Sequence, residues 1–407
     1  MARNAEDPRL DFSPARNASD VSARRARERR LTLLGYACLL LVGINAGWIG
    51  PFLPEIARLT HIEIDRAGLI VSATAAGYLL ALLAAGEMSQ HFSARATLAG
   101  AMVLLGAGLF GLALAPGLAA LLGAAAVIGL GCGAVDVATN ALVAELNRER
   151  LASALNYLHV MFGVGALMGP LIAGFALAAR IPYSVAFTAG AIAAAVVAAA
   201  LWATPIAEPR MEAVSGGGFL AMLSYAQIWI LGAILFLYVG AESGIGAWLF
   251  VFLRTTGGLG DSPASWGVSL YWLGLILGRV IGGRLAHAMG PREFSIGAAA
   301  LSAAAIIGLL AAPAAHAFAA VMAILIGAGF GPVFPNMIAI GAELFPSEVG
   351  RMTSVVVAGG AIGGMIVPWM MGRALVAASP AASMEVALAV TVLMGSLCVA
   401  GLPSRAT

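Results

Sequence analysis

Apolar residues run along this chain in long blocks separated by short polar breaks. Twelve blocks, at about 31–56, 67–90, 97–116, 119–146, 153–179, 183–203, 225–253, 264–287, 294–313, 317–344, 352–377 and 384–403, each reach the roughly 20 residues that a helix needs to cross hydrocarbon. The breaks are rich in Arg, Pro, Gly and Ser, as turns are. The strict alternation of a membrane barrel is absent. The pattern predicts an all-α integral membrane protein with twelve transmembrane helices.

Composition agrees. Apolar residues make up 61% of the chain and charged residues only 10%, with a mean hydropathy of +0.95; soluble domains carry about 25% charged residues. Thirteen of the 42 charges lie in residues 1–30, which leaves 29 for the remaining 377 residues, too few to cover a soluble surface. Residues 1–30 are expected to be a disordered, arginine-rich tail. The apolar run from Leu31 to Leu53 is too long for a secretory signal core of about 7–15 residues, so it is expected to remain as the first span.

Arginine placement orients the chain. With the N-terminus in the cytoplasm, 17 of the 22 arginines fall inside, Arg279 among them, and Arg58, Arg66, Arg180, Arg254 and Arg373 fall outside. Twelve spans bring both termini to the cytoplasmic side of the cell inner membrane. A net charge of +2 implies no nucleic-acid partner. Cys38, Cys132 and Cys398 are far apart in apolar runs, with neither metal-ligand spacing nor a disulfide framework. No metal and no cofactor is expected, and the chain is expected to be a monomer whose partners are the lipid bilayer and a small-molecule substrate.

The chain repeats itself. A shift of 198 lays Gly129, Gly131, Gly133 and Glu145 on Gly327, Gly329, Gly331 and Glu343, and Gly165, Pro170 and Gly174 on Gly363, Pro368 and Gly372. A shift of 197 lays Val42, Gly43 and Gly47 on Val239, Gly240 and Gly244, and Gly77, Gly86 and Arg95 on Gly274, Gly283 and Arg292. Two pseudo-symmetric six-helix bundles, 31–203 and 225–403, are therefore expected, joined by a cytoplasmic linker at 204–224. Alternating-access transporters have this layout, with the substrate held between the halves near the bilayer midplane.

At this point the chain resembles the major facilitator superfamily over 31–403. Gly86-Glu-Met-Ser-Gln-His-Phe-Ser-Ala-Arg95 looks like its Gly-x-x-x-Asp-x-x-Gly-x-Arg signature with Gln90 in place of the Asp. A second copy runs from Gly283 through Gly290 to Arg292 with His287 at that position. Glu145 with Arg148, and Glu343-Leu-Phe-Pro with Arg351, resemble the superfamily's other cytoplasmic junctions. The resemblance implies a cytoplasmic gate of Arg95, Glu145, Arg148, Arg292, Glu343 and Arg351.

Three segments resemble the fucose/galactose/glucose:proton symporter family: Asp136-x-x-x-Asn140, Asn156-Tyr-Leu-His159-x-x-Phe-Gly-x-Gly165, and Tyr238-Val-Gly-x-Glu242-x-x-x-Gly246-x-Trp248. That resemblance implies a proton-coupled sugar symporter. Such proteins place one acid on helix 1 and another on helix 4; here Asp136 matches the latter, while helix 1 offers Asn45.

The residues point to a site independently. An acid at a helix centre costs about 2.5–3.5 kcal/mol on insertion scales and is retained for function. Asp136 and Glu242 are the two acids deep in spans. Asn140 lies one turn from Asp136 on the same face, and His159 enters helix 5 at a similar level. Asp136, His159 and Glu242 are therefore expected to serve coupling, to a proton or alternatively to sodium. Glu242 aligns with Asn45 across the repeat. The expected substrate contacts are Asn45, Asn140, Asn156 and Glu242, with Asn336 where Pro332 and Pro335 free backbone groups to face a cavity. Trp248 and Tyr271 are expected to stack on a ring.

Two other readings compete. Gly165-x-x-x-Gly169-Pro170-x-x-Ala-Gly174 resembles the antiporter signature of drug exporters, which implies proton-driven efflux. A non-transporting membrane sensor or intramembrane enzyme would need a nucleophile–base pair, a metal cluster or a soluble domain, and the sequence offers none.

Overall fold

The computed structural model describes residues 14–147, 151–204 and 222–402. It contains thirteen helices there: α1 (Pro14–Leu59), α2 (Ile64–His91), α3 (Ala94–Leu114), α4 (Leu118–Leu146), α5 (Leu151–Ala178), α6 (Tyr183–Trp202), α7 (Ala226–Thr255), α8 (Asp261–Met289), α9 (Pro291–Ala311), α10 (His316–Phe330), α11 (Val333–Leu344), α12 (Val349–Ala377) and α13 (Pro380–Gly401). They make twelve candidate membrane spans, because α10 and α11 form a single span interrupted at Gly331–Pro332. Pro332 has no N–H to donate, and its ring clashes with the preceding turn, so the helix restarts there.

One boundary is corrected. Helix α1 begins at Pro14, so residues 14–30, expected to be disordered, are helical. Proline suits a first helical turn, and the Ala-, Arg- and Glu-rich stretch behind it has high helix propensity. Extending an existing helix also avoids the cost of nucleating a new one. Residues 1–13 and most of the proposed 204–224 linker lie outside the described residues.

The repeat in the sequence is a repeat in packing. In the first half α1 pairs with α5, α2 with α4 and α3 with α6; in the second α7 pairs with α12, α8 with α10 and α9 with α13. Without a hydrophobic driving force inside lipid, such pairs depend on close backbone approach over small residues. Gly129 shows the requirement: a Cβ there would overlap the carbonyl oxygen of Thr74 on α2. Its repeat partner Gly327 meets the carbonyl of Tyr271 on α8 in the same way.

The halves meet mainly through α2 against α12 and α5 against α8. Most of their described contacts lie in the half of the molecule away from the termini. Asp65 pairs with Arg373 at 2.6 Å, and Ser72 donates to the carbonyl of Met365 at 2.6 Å. Ser262 donates to Gly174 at 3.3 Å and Ser269 to Leu167 at 3.0 Å. Gly50 abuts the Gly246–Ala247 backbone, and Gly68 abuts the Trp248 ring. This is a seal at the end opposite the arginine-rich, terminus-bearing face.

Candidate substrate and proton site

Two polar clusters occupy the middle of the spans, one in each half. In the first, Asp136 on α4 lies about 15 Å from the arginine-rich end at 1.5 Å per residue. Tyr78 on α2 donates its hydroxyl to Asp136 Oδ2 at 2.6 Å, and Asn140, one turn along α4, donates its amide to Oδ1 at 3.0 Å. Both carboxylate oxygens therefore accept, which is the arrangement that suits an ionised acid. The acid itself is half-buried. Tyr78 reaches it because α2 and α4 approach closely at Gly129 and Gly133.

In the second cluster, Glu242 and Tyr238 lie one turn apart on α7, facing Arg279 on α8. Arg279 Nη2 is 3.5 Å from Glu242 Oε1 and 3.4 Å from the Tyr238 hydroxyl. Tyr271 donates to the Glu242 backbone carbonyl at 3.2 Å. Arg279 is a correction to the sequence reading, which counted it with the cytoplasmic arginines: it is an intramembrane charge with an acidic partner. Without it the asymmetry is 16 against 5 and still points the same way.

His159 links the clusters. It sits on α5, is exposed, and lies within electrostatic range of both Asp136 and Arg279.

The other expected site residues with described side chains are held by packing contacts. Asn45 is buried, its amide 3.9 Å from Cys132 Sγ and its oxygen accepting from the Trp48 indole at 3.4 Å; it holds α1 to α4. Trp248 is fully buried and donates to the Pro368 carbonyl at 2.8 Å, between Gly68 and Gly372. Tyr271 is also fully buried, with its ring edge-on to Trp272. Asn336 donates to Ser295 at 3.0 Å, tying α11 to α9 rather than facing a cavity. The side chain of Asn156 lies outside the described residues, as do those of Gln90 and His287.

The described contacts of Arg95, Arg292 and Arg351 fall within their own halves. Arg95 donates to the carbonyls of Leu201 and Trp202 at the end of α6, and its repeat partner Arg292 donates to Val399 near the end of α13 at 2.7 Å. Each arginine thereby satisfies carbonyls that the last turn of a helix leaves unpaired. Arg351 pairs with Glu348 at 2.6 Å, Glu343 is exposed, and Glu145 is half-buried at the end of α4. Arg148 lies outside the described residues. The three cysteines are free and buried, and the described residues contain no cluster of metal-ligating side chains.

A fold of two six-span bundles, each with a polar cluster in mid-span, is that of a membrane transporter. The Major Facilitator Superfamily profile matches residues 35–368 and again 258–405. The chain belongs to that superfamily and is a multi-pass secondary transporter. It is 25% identical over 365 residues to the glucose/mannose transporter GlcP of Bacillus subtilis, spanning 84% of this chain and 87% of that protein. It is 24% identical over 378 residues to Bypass of stop codon protein 6 of Saccharomyces cerevisiae, spanning 83% and 76%. The glucose/galactose transporter of Brucella abortus is 28% identical over 254 residues, spanning 56% and 60%. Among solved structures, a D-xylose–proton symporter superposes with a TM-score of 0.79 at 16% identity, covering 92% of this chain and 98% of that one. A nucleoside transporter does so with a TM-score of 0.78 at 12% identity, covering 92% and 99%.

Proposed function

We propose that this protein is a proton-coupled importer of a small hydroxylated solute, a hexose, working by alternating access in the cytoplasmic membrane with both termini inside. The observation that carries the proposal is the pair of midspan polar clusters on opposite bundles, with His159 in range of both. The glucose-transporting relatives support the solute class, and the arginine asymmetry supports the orientation.

In this reading Asp136 carries the proton. Ionised, it holds Tyr78 and Asn140; protonated, it removes a charge from the passage and lets the halves rock with the solute between them. Glu242 anchors the solute from the second half. A proton moving down 100 mV releases about 2.3 kcal/mol, enough to concentrate a neutral solute roughly fifty-fold. The stretch that resembles an exporter signature gives efflux no separate support, because Gly165 and Gly169 are where α5 touches the α1 backbone at Leu40 and Ile44.

The test is uptake of D-glucose into proteoliposomes under an imposed pH gradient. Accumulation above the external concentration that collapses with a protonophore is expected. Uptake that ignores the pH gradient and follows a sodium gradient instead would overturn the proton assignment, and no uptake of any hexose would overturn the solute class.

A further inference from the structure

The ion pair in the second half is loosely made. Arg373–Asp65 and Arg351–Glu348 close to 2.6 Å, Arg254–Asp261 to 2.8 Å and Arg292–Glu293 to 3.2 Å, whereas Arg279 stands 3.5 Å from the shielded Glu242, as far apart as the solvent-exposed Arg66–Glu63 pair. Charge-assisted N–H···O bonds ordinarily run about 2.7–2.9 Å. Both contacts of Arg279 with its neighbours, to Glu242 and Tyr238, fall on one nitrogen, Nη2, and Nε is shielded from solvent with no hydrogen-bond partner. A guanidinium has five N–H donors in a rigid fork. This one is under-used, in the middle of a membrane, where unmet donors are costly.

The arrangement selects among solutes by chemistry. A cation would have to displace Arg279 from Glu242. An anion would meet Glu242 beside it and Asp136 across the passage. An apolar solute would leave the donors of Arg279 and the acceptors of Glu242 as poorly met as before. A hydroxyl both donates and accepts, so adjacent hydroxyls of a neutral ring can give a proton to Glu242 and take hydrogen bonds from the Arg279 fork.

Resting on the proposed hexose transport, we infer that Arg279 and Glu242 form a clamp for a vicinal diol, with Arg279 a direct substrate-binding residue. The solute enters between the two side chains and replaces their two long contacts with shorter ones. Tyr238, whose hydroxyl accepts from Arg279, keeps the guanidinium in place while the clamp is empty. Tyr271 fixes the α7 backbone behind it.

The test is a cycle between protein and ligand. Equilibrium binding of D-glucose and its single-position deoxy derivatives is measured on the purified full chain and on Arg279→Lys, which keeps the charge opposite Glu242 but loses the fork. In the wild type, removing either of two adjacent hydroxyls should weaken binding about tenfold to a hundredfold, the range expected for hydrogen bonds to a charged group. In Arg279→Lys those two positions should lose most of their further effect, while the other positions keep theirs. An affinity for D-glucose unchanged by Arg279→Lys, or a drop of equal factor across all derivatives, would overturn the clamp and leave hexose transport standing. A wild type that binds none of the sugars would overturn hexose transport and the clamp together. Glu242→Gln provides a second reading of the same cycle: it keeps the shape of the acceptor, and the same two positions should respond.

Discussion

Asp136 has the chemistry of a carrier and the surroundings of a structural group, and the difference lies in what can reach it. A buried polar bond between helices in a membrane contributes about 0.6 kcal/mol on average, less than an acid costs at a helix centre. Packing alone therefore gives a weak reason to keep the acid. Its two hydrogen bonds hold the carboxylate in one orientation, half-buried, with an exposed imidazole in electrostatic range. Asn45 and Asn336 show the contrasting case. Each is buried and satisfied by a neighbouring helix, and neither opens on the passage. Both situations put a polar side chain deep in a span, so sequence separates them poorly. Arg279 was hidden for a related reason: near the end of an apolar run it reads as a loop charge until α7 is placed beside it.

At the scale of elements, the glycine notches are the joints on which these helices pair. Replacing Gly129 with Ala should destabilise the protein by about 1–3 kcal/mol, the usual cost of overpacking, because the new methyl would meet backbone atoms of Thr74 and Tyr78. Gly100 is the control. It has no atom within 4 Å of an added Cβ, so Gly100→Ala should be neutral or stabilising by up to about 1 kcal/mol. Thermal unfolding of the detergent-solubilised protein measures both; equal effects would mean that the notch is not a packing contact. The spans and the notches were legible in the chain, because span length is set by bilayer thickness and the repeat preserves each glycine at its offset. The start of α1 and the break between α10 and α11 were not. The first depends on helix propagation into a polar tail, and the second on where one proline stops a helix.

At the scale of the molecule, the seal opposite the arginine-rich face combines an ion pair with serine-to-carbonyl bonds. Asp65 is 3% exposed and its partner Arg373 is 58% exposed. Removing the arginine leaves a shielded acid uncompensated and should favour opening at that end. Arg373→Ala should raise labelling of a cysteine placed at Ser72 by an impermeant maleimide about fivefold, the effect of roughly 1 kcal/mol; the native cysteines are buried and give little background. Unchanged labelling would show that the ion pair does not help hold the passage shut. The two-bundle architecture could be read from the repeat alone, whereas which end is closed could not, because the seal depends on contacts between residues such as Asp65 and Arg373 that lie far apart in the chain. The most direct measurement compares Asp136→Asn with the wild type in proteoliposomes, recording D-glucose accumulation driven by a pH gradient and D-glucose counterflow without one. Counterflow at near wild-type rates with no accumulation is the expected result. Accumulation equal to the wild type would contradict the assignment of the proton to Asp136.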